Sequence, residues 1–168
     1  YTNYSLEMKV LKFGGSSVAN SENIQKVLAI VKQESKNEKV AVVVSAFGKT
    51  TDQLISAGNK ALKNIAEAKE TLETIKELHD QIITDLITTH KKEVRSEVAD
   101  LFKKLVSIYE GLYLLQELSD KTLAKISSFG ERLSSLIIAN AAKELFDATH
   151  EESRKLITTN NDYLNAQV

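Results

Sequence analysis

Apolar residues recur along this chain with two different spacings, and the change between them marks out its elements. Met8-Lys9-Val10-Leu11 is a short apolar run, and Met8 to Phe13 is predicted to form a first strand. Beyond it the spacing lengthens. Ile24, Val27, Leu28 and Val31 recur at three and four, the helical period, in a helix that Asn20 or Ser21 can cap and that runs to about Lys36. Lys39 to Ser45 holds Val40-Ala41-Val42-Val43-Val44, a β-branched run bounded by polar residues. It predicts a strand buried on both faces of a parallel sheet. Two such strands joined by one helix make a βαβ unit, with the strands parallel and adjacent.

The remainder reads as helix. Thr51 or Asp52 can cap a segment carrying Leu54, Ile55 and Leu62. From about Leu72 to Tyr113 two stripes follow one another, Leu72, Ile75, Leu78, Ile82, Leu86 and then Val94, Val98, Leu101, Leu105, Ile108, Leu112. A break near His90 to Lys92 would make them a helical hairpin, packed on the sheet or inserted beside the site. A last helix starts at Ser119 or Asp120, with Leu123, Ile126, Leu133, Ile137 and Leu145 as core positions. Residues from Ala148 to Val168 are polar apart from the step Leu156-Ile157. The expected fold is α/β, a three-layer sandwich around a largely parallel sheet, with a helical hairpin insertion. Residues 1–7 stand outside that unit as a native extension or an artificial remnant.

Composition narrows the function classes. The 168 residues suffice for one cored domain or a large part of a bigger one. A net charge of −1 gives no broad field to recruit nucleic acid or a membrane surface. Cysteine is absent, which excludes disulfides, thiolate metal sites and cysteine nucleophiles, and fits a reducing cytoplasm. No apolar run approaches membrane-spanning length, and no secretory signal pattern appears. Proline is absent and glycine occurs six times, so long irregular loops are not expected.

Against that background three segments carry candidate chemistry. Lys12-Phe13-Gly14-Gly15-Ser16-Ser17-Val18 links the first strand to the first helix. Gly14 and Gly15 let the backbone approach a ligand without a Cβ, free N–H groups near a helix start favour an anion, and Lys12 adds a full positive charge. Phosphate is the natural occupant; an ordinary βα turn is the plain alternative. Ser45-Ala46-Phe47-Gly48-Lys49-Thr50-Thr51-Asp52 lies beyond the second strand, on the edge where open α/β sheets bind ligands, so the two segments should converge. Ser45 and Thr51 offer hydroxyls there, or serve only local capping. Gly48-Lys49-Thr50 is not a nucleotide-binding P-loop, because Val43 stands where that motif needs a glycine. No Gly-x-Gly-x-x-Gly dinucleotide fingerprint occurs either.

The third segment is Ser127 to Ser135, Ser-Ser-Phe-Gly-Glu-Arg-Leu-Ser-Ser. A glycine within a helical pattern costs about 1 kcal/mol against alanine, which suggests close approach by a ligand or a neighbouring backbone at Gly130. Glu131 beside it could accept an ammonium group, or form a solvated pair with Arg132. His79, His90 and His150 have no partners at ligand spacing and are expected at the surface, and no metal site is expected.

Together these motifs, in this order and spacing, resemble the aspartate kinases of the amino-acid kinase family. The resemblance rests on Lys12 to Val18, on Val44-Ser45-Ala46 with Thr51, on Ser128 to Ser135, and more weakly on Ser153-Arg154 with Thr159-Asn160. It implies transfer of a phosphoryl group from ATP, with Mg2+, to L-aspartate, giving 4-phospho-L-aspartate and ADP. It implies phosphate contacts from Gly14, Gly15, Ser16 and Ser17, charge neutralisation by Lys12, a substrate pocket at Ser45, Ala46 and Thr51, and an ammonium partner in Glu131. It further implies a homo-oligomeric full-length protein. Residues 8–168 would be the amino-terminal portion of the kinase domain, without the nucleotide-binding half and its Gly-Arg-x-Gly-Ser-Asp-like motif. The stretch Gly111-Leu112-Tyr113-Leu114-Leu115 is similar to forms fused to a homoserine dehydrogenase. The competing readings are a kinase for glutamate, acetylglutamate or a nucleotide, and a non-catalytic helical interaction module.

Overall fold

The computed structural model describes residues 8–163 and 165–167. The expectation for residues 1–7 lies outside the described residues. Two strands, β1 (Met8–Phe13) and β2 (Lys39–Val44), pair in parallel with Met8 opposite Lys39 and Phe13 opposite Val44. Between them runs α1 (Ser21–Glu34), preceded by a 3-10 turn over Gly15–Val18. Asn20 is the cap: its side chain accepts from the Asn23 amide at 2.9 Å, which satisfies one of the free N–H groups of the first turn. Ile24, Val27, Leu28 and Val31 are buried as the periodicity requires. The parallel βαβ unit is therefore present, in an α/β fold dominated by helix.

Four further helices follow, α2 (Thr50–Ala61), α3 (Ile65–Leu86), α4 (Lys91–Leu115) and α5 (Asp120–Lys143). The hairpin of α3 and α4 turns at 87–90, close to the expected break, but α3 begins seven residues earlier than the leucine stripe suggests. Asn64 caps it there, accepting from the amides of Ala66 and Glu67. Ser119 caps α5 by accepting from Thr122. Arg95 on α4 donates to Asp80 on α3 at 2.6 Å, and Lys69 pairs with Glu110 at 2.7 Å across the same interface.

Helix α2 lies at the centre of the helical layer. It packs on α3, α4 and α5, and the buried Tyr109 hydroxyl on α4 donates to the Leu54 carbonyl at 2.7 Å. One continuous core joins Val18, Ile24 and Phe47 to Leu54, Leu105, Tyr109, Ile126 and Leu133. Leu11, Phe13 and Val44 reach it from the sheet.

Three expectations are corrected. Strand β2 is not buried on both faces: side chains alternate along a strand, and the face of Met8, Val10 and Val43 is open, with 58%, 63% and 50% of their surface exposed. No element among the described residues covers that face. Leu145 lies past the end of α5 and is exposed. Helix α2 takes neither Thr51 nor Asp52 as its cap. It starts at Thr50, after Lys49 as the cap residue, and the Thr50 hydroxyl donates back to the Phe47 carbonyl at 2.7 Å. Among the described residues no helix is long and apolar enough to cross a membrane.

Candidate functional site

The end of β1 and the end of β2 open into the two candidate loops, and adjacent parallel strands bring those loops together. The Ser45 amide donates to the Phe13 carbonyl at 3.0 Å, extending the pairing one step beyond β2. The Gly48 amide then donates to the Gly15 carbonyl at 3.2 Å. Gly48 has φ of +52°, a left-handed conformation that costs glycine little.

The two glycines of the first loop do different work. A Cβ on Gly15 would stand 3.1 Å from the Gly48 carbonyl oxygen and 3.2 Å from that of Ala46. Gly15 is thus required for loop-to-loop contact. A Cβ on Gly14 would meet nothing within 4 Å, so the space above Gly14 is open. Ser16 and Ser17 beside it are exposed. Lys12 is exposed too, on the open face of β1, and has no ion-pair partner among the described residues. An open backbone, two hydroxyls and an unpaired ammonium group fit a phosphate.

Helix α5 closes the other side. A Cβ on Gly130 would stand 2.7 Å from Thr51 Oγ1 and 2.8 Å from the Ala46 Cβ. The helical glycine therefore admits the second loop to the face of α5, which answers why the sequence accepts its helical cost. Ser134, one turn on, donates to the Ser45 carbonyl at 2.8 Å and is fully buried. The side-chain hydroxyls of Ser45 and Thr51 have no partner among the described residues, while Thr50, the neighbour that resembles Thr51, is buried and engaged. Ala46 is buried against α5.

Glu131 follows Gly130 and is half-buried. It does not pair with Arg132, as the plain reading of the motif expects. Arg132 lies over the Phe129 ring, 4.3 Å from its centroid, with Nε 2.9 Å from Glu152. Burial and the nearby Arg154 lower the pKa of its guanidinium, while Glu152 opposes them. The carboxylate of Glu131 is left without an ion-pair partner among the described residues. Ser153 to Lys155 form a 3-10 turn in which Arg154 also binds Glu152. Thr159 and Asn160 are exposed, and among the described residues none of their hydrogen bonds reaches the loops of the site.

The histidines are not all at the surface. His79 is fully buried in α3, and burial lowers its pKa to about 4 against the opposing effect of its bond to Ile75. His90 approaches Glu144 at 3.2 Å and Asn140 at 3.1 Å. His150 meets Ser135 at 3.1 Å. Two contributors to the site lie beyond the sequence reading. Phe47 holds no chemistry, and only its burial marks it as the anchor of the second loop. Ser134 sits among several serines, and nothing local distinguishes the one that grips Ser45.

The sequence profile of the amino acid kinase family matches residues 7–157. Aspartokinase 1 of Arabidopsis thaliana, a chloroplastic protein, is 36% identical over 134 residues, 77% of this chain and 22% of that protein. A bifunctional aspartokinase/homoserine dehydrogenase of Buchnera aphidicola is 29% identical over 167 residues, 96% of this chain and 20% of that protein. Among solved structures, Escherichia coli aspartokinase III in complex with aspartate and ADP superposes with a TM-score of 0.81 at 26% identity, covering 96% of this chain and 34% of that one. The chain spans about a fifth of the length of these two curated relatives.

Proposed function

The chain belongs to the amino acid kinase family, and we propose that it forms the amino-terminal part of an aspartate kinase, transferring the γ-phosphoryl group of ATP to the side-chain carboxylate of L-aspartate. One observation carries this reading above the rest. Gly15, the loop from Ser45 to Thr51, and Gly130 meet within contact distance, which supports a site shared by the residues proposed for phosphate and those proposed for the amino acid.

Phosphoryl transfer asks the protein for position and charge stabilisation more than for covalent chemistry. Lys12 supplies positive charge as the γ-phosphoryl group moves. Gly14, Ser16 and Ser17 offer backbone and hydroxyl donors around the phosphates, and Gly15 holds that loop against the second. Ser45, Ala46 and Thr51 line the aspartate side, and Glu131 takes the substrate ammonium. No group of three or more acidic or histidine side chains able to hold a metal ion is found among the described residues. Mg2+ usually binds through substrate phosphates and one or two carboxylates, and no ligand for it is assigned in this chain.

The test uses the complete reading frame, purified and assayed by coupled ADP release with Mg-ATP. L-Aspartate is expected to drive turnover. Turnover with glutamate or acetylglutamate in place of aspartate would assign a different acceptor, and none with any of them would refute the kinase reading.

A further inference from the structure

The second loop is anchored by one apolar side chain. Phe47 is fully buried, and it stands between Ala46, which touches α5, and Gly48, which touches the first loop. Its carbonyl also receives both the amide and the hydroxyl of Thr50. Wherever the Phe47 ring sits, Ala46, Gly48 and the start of α2 must follow.

That ring rests on an imidazole. The centroid of His79 on α3 is 5.0 Å from that of Phe47, with 39° between the planes. Behind it Phe102 on α4 meets the imidazole edge-on at 5.8 Å. Both separations fall in the range of favourable aromatic pairs. His79 is itself fixed. Its Nδ1 lies 2.7 Å from the Ile75 carbonyl, which can only accept, so Nδ1 carries the proton. Nε2 is buried and has no hydrogen-bond partner among the described residues. Leaving a buried acceptor unsatisfied is unfavourable, and a leucine would fill similar space without that cost. The planar ring offers what leucine lacks, a flat face for Phe47 and an edge toward Phe102, with its orientation set by one hydrogen bond.

We propose that His79 is a positioning residue for the phosphoryl-transfer site, seating Phe47 so that the Ser45–Thr51 loop meets Gly15 and Gly130 at the proper distance. The hairpin of α3 and α4 then acts as the back wall of the substrate pocket. The inference rests on the aspartate kinase reading for its kinetic consequence but not for its structural one.

The test compares the intact wild-type protein with His79→Leu and His79→Phe. The leucine variant should match or exceed the wild-type melting temperature, because it removes an unsatisfied group, yet raise KM for aspartate about fivefold or more through misplacement of the loop. The phenylalanine variant, which restores a flat face, should recover part of that loss. Unchanged KM in a folded leucine variant would overturn the proposal. If His79→Leu fails to fold, Phe47→Leu reads the same contact from the other side and should raise KM likewise; an unaltered KM there also overturns it. A wild-type protein that turns over no aspartate defeats the functional reading alone. In that case the amide resonances of Ala46, Gly48 and Thr51 decide: they should shift in His79→Leu, and their staying in place overturns the positioning role.

Discussion

Gly130 and Thr51 are in such close contact that one methyl group at position 130 would stand 2.7 Å from the threonine hydroxyl oxygen. The same methyl group would stand 2.8 Å from the Ala46 Cβ, which cannot rotate away. Gly130→Ala should therefore lower stability by about 1–3 kcal/mol, the usual cost of overpacking, although alanine is the better helix former. KM for aspartate should rise with it, because Thr51 is displaced. Urea unfolding and steady-state kinetics on the intact protein check both, and a stabilised variant would show that the contact has slack.

Glu131→Gln keeps shape and removes charge. The proposed ammonium contact is similar in ground and transition states, so its loss should raise KM and spare kcat. Losing one partner of a desolvated charge pair costs about 2–5 kcal/mol, so KM for aspartate should rise at least about tenfold while KM for ATP stays level. An unaltered KM with a lowered melting temperature would make Glu131 a structural residue.

Lys12→Ala should act on the other kinetic constant. The lysine is proposed to meet charge that develops during transfer, so kcat should fall far more than KM for aspartate rises. An unchanged kcat removes Lys12 from the mechanism.

Acid should weaken the fold in two successive windows. His79 is lowered from 6.5 to about 4, chiefly by burial. The unfolded chain therefore takes up this proton first, and stability present above about pH 6.5 is lost as the pH falls through about 4, to the extent of about 3 kcal/mol. Glu144 is lowered from 4.5 to about 2, first by the Thr88 hydroxyl and then by the amide and hydroxyl of Thr89, which together tie the hairpin turn to the end of α5. Its contribution is complete above about pH 4.5 and is lost as the pH falls toward about 2. Urea midpoints across this range should show a smaller upper-window loss in His79→Leu. In Glu144→Gln, the deficit against wild type should shrink through the lower window. Parallel profiles in all three proteins would contradict both assignments.

The present chain by itself should not phosphorylate aspartate, since it covers 34% of the aspartokinase III chain whose structure it matches. A coupled ADP-release assay on purified residues 1–168 checks this, and aspartate-dependent turnover above background would place a sufficient site within them.

The βαβ unit was legible because β1, α1 and β2 each carry an unmixed period, and the three chemical segments were legible because their glycines have no other local use. The neighbours of those residues were not. Gly15 and Gly14 look alike in the sequence, yet one meets a backbone carbonyl and the other open space. Thr50 and Thr51 are interchangeable by type, and only helix phase turns the first inward. His79 lies on the buried side of α3 among Leu72, Ile75, Ile82 and Ile83, but its partners Phe47 and Phe102 are distant in sequence. The exposed side of β2 escaped because a run of valines reads the same whether or not a layer covers it.

Strand register gives the base of the two loops an all-or-none character. The pairing of Phe13 with Val44 carries each strand straight into its loop, so the meeting of Gly15 with Gly48 inherits the register without adjustment. A strand cannot slip by a fraction of a residue: the smallest error is about 3.3 Å and turns every side chain to the opposite face. Phe13 and Val44 would then leave the core, and the two loops would miss each other. A site displaced by partial strand slippage is thus excluded by the sheet itself, and finer adjustment is left to contacts beyond the strand ends, such as Phe47 on His79 and Gly130 on Thr51.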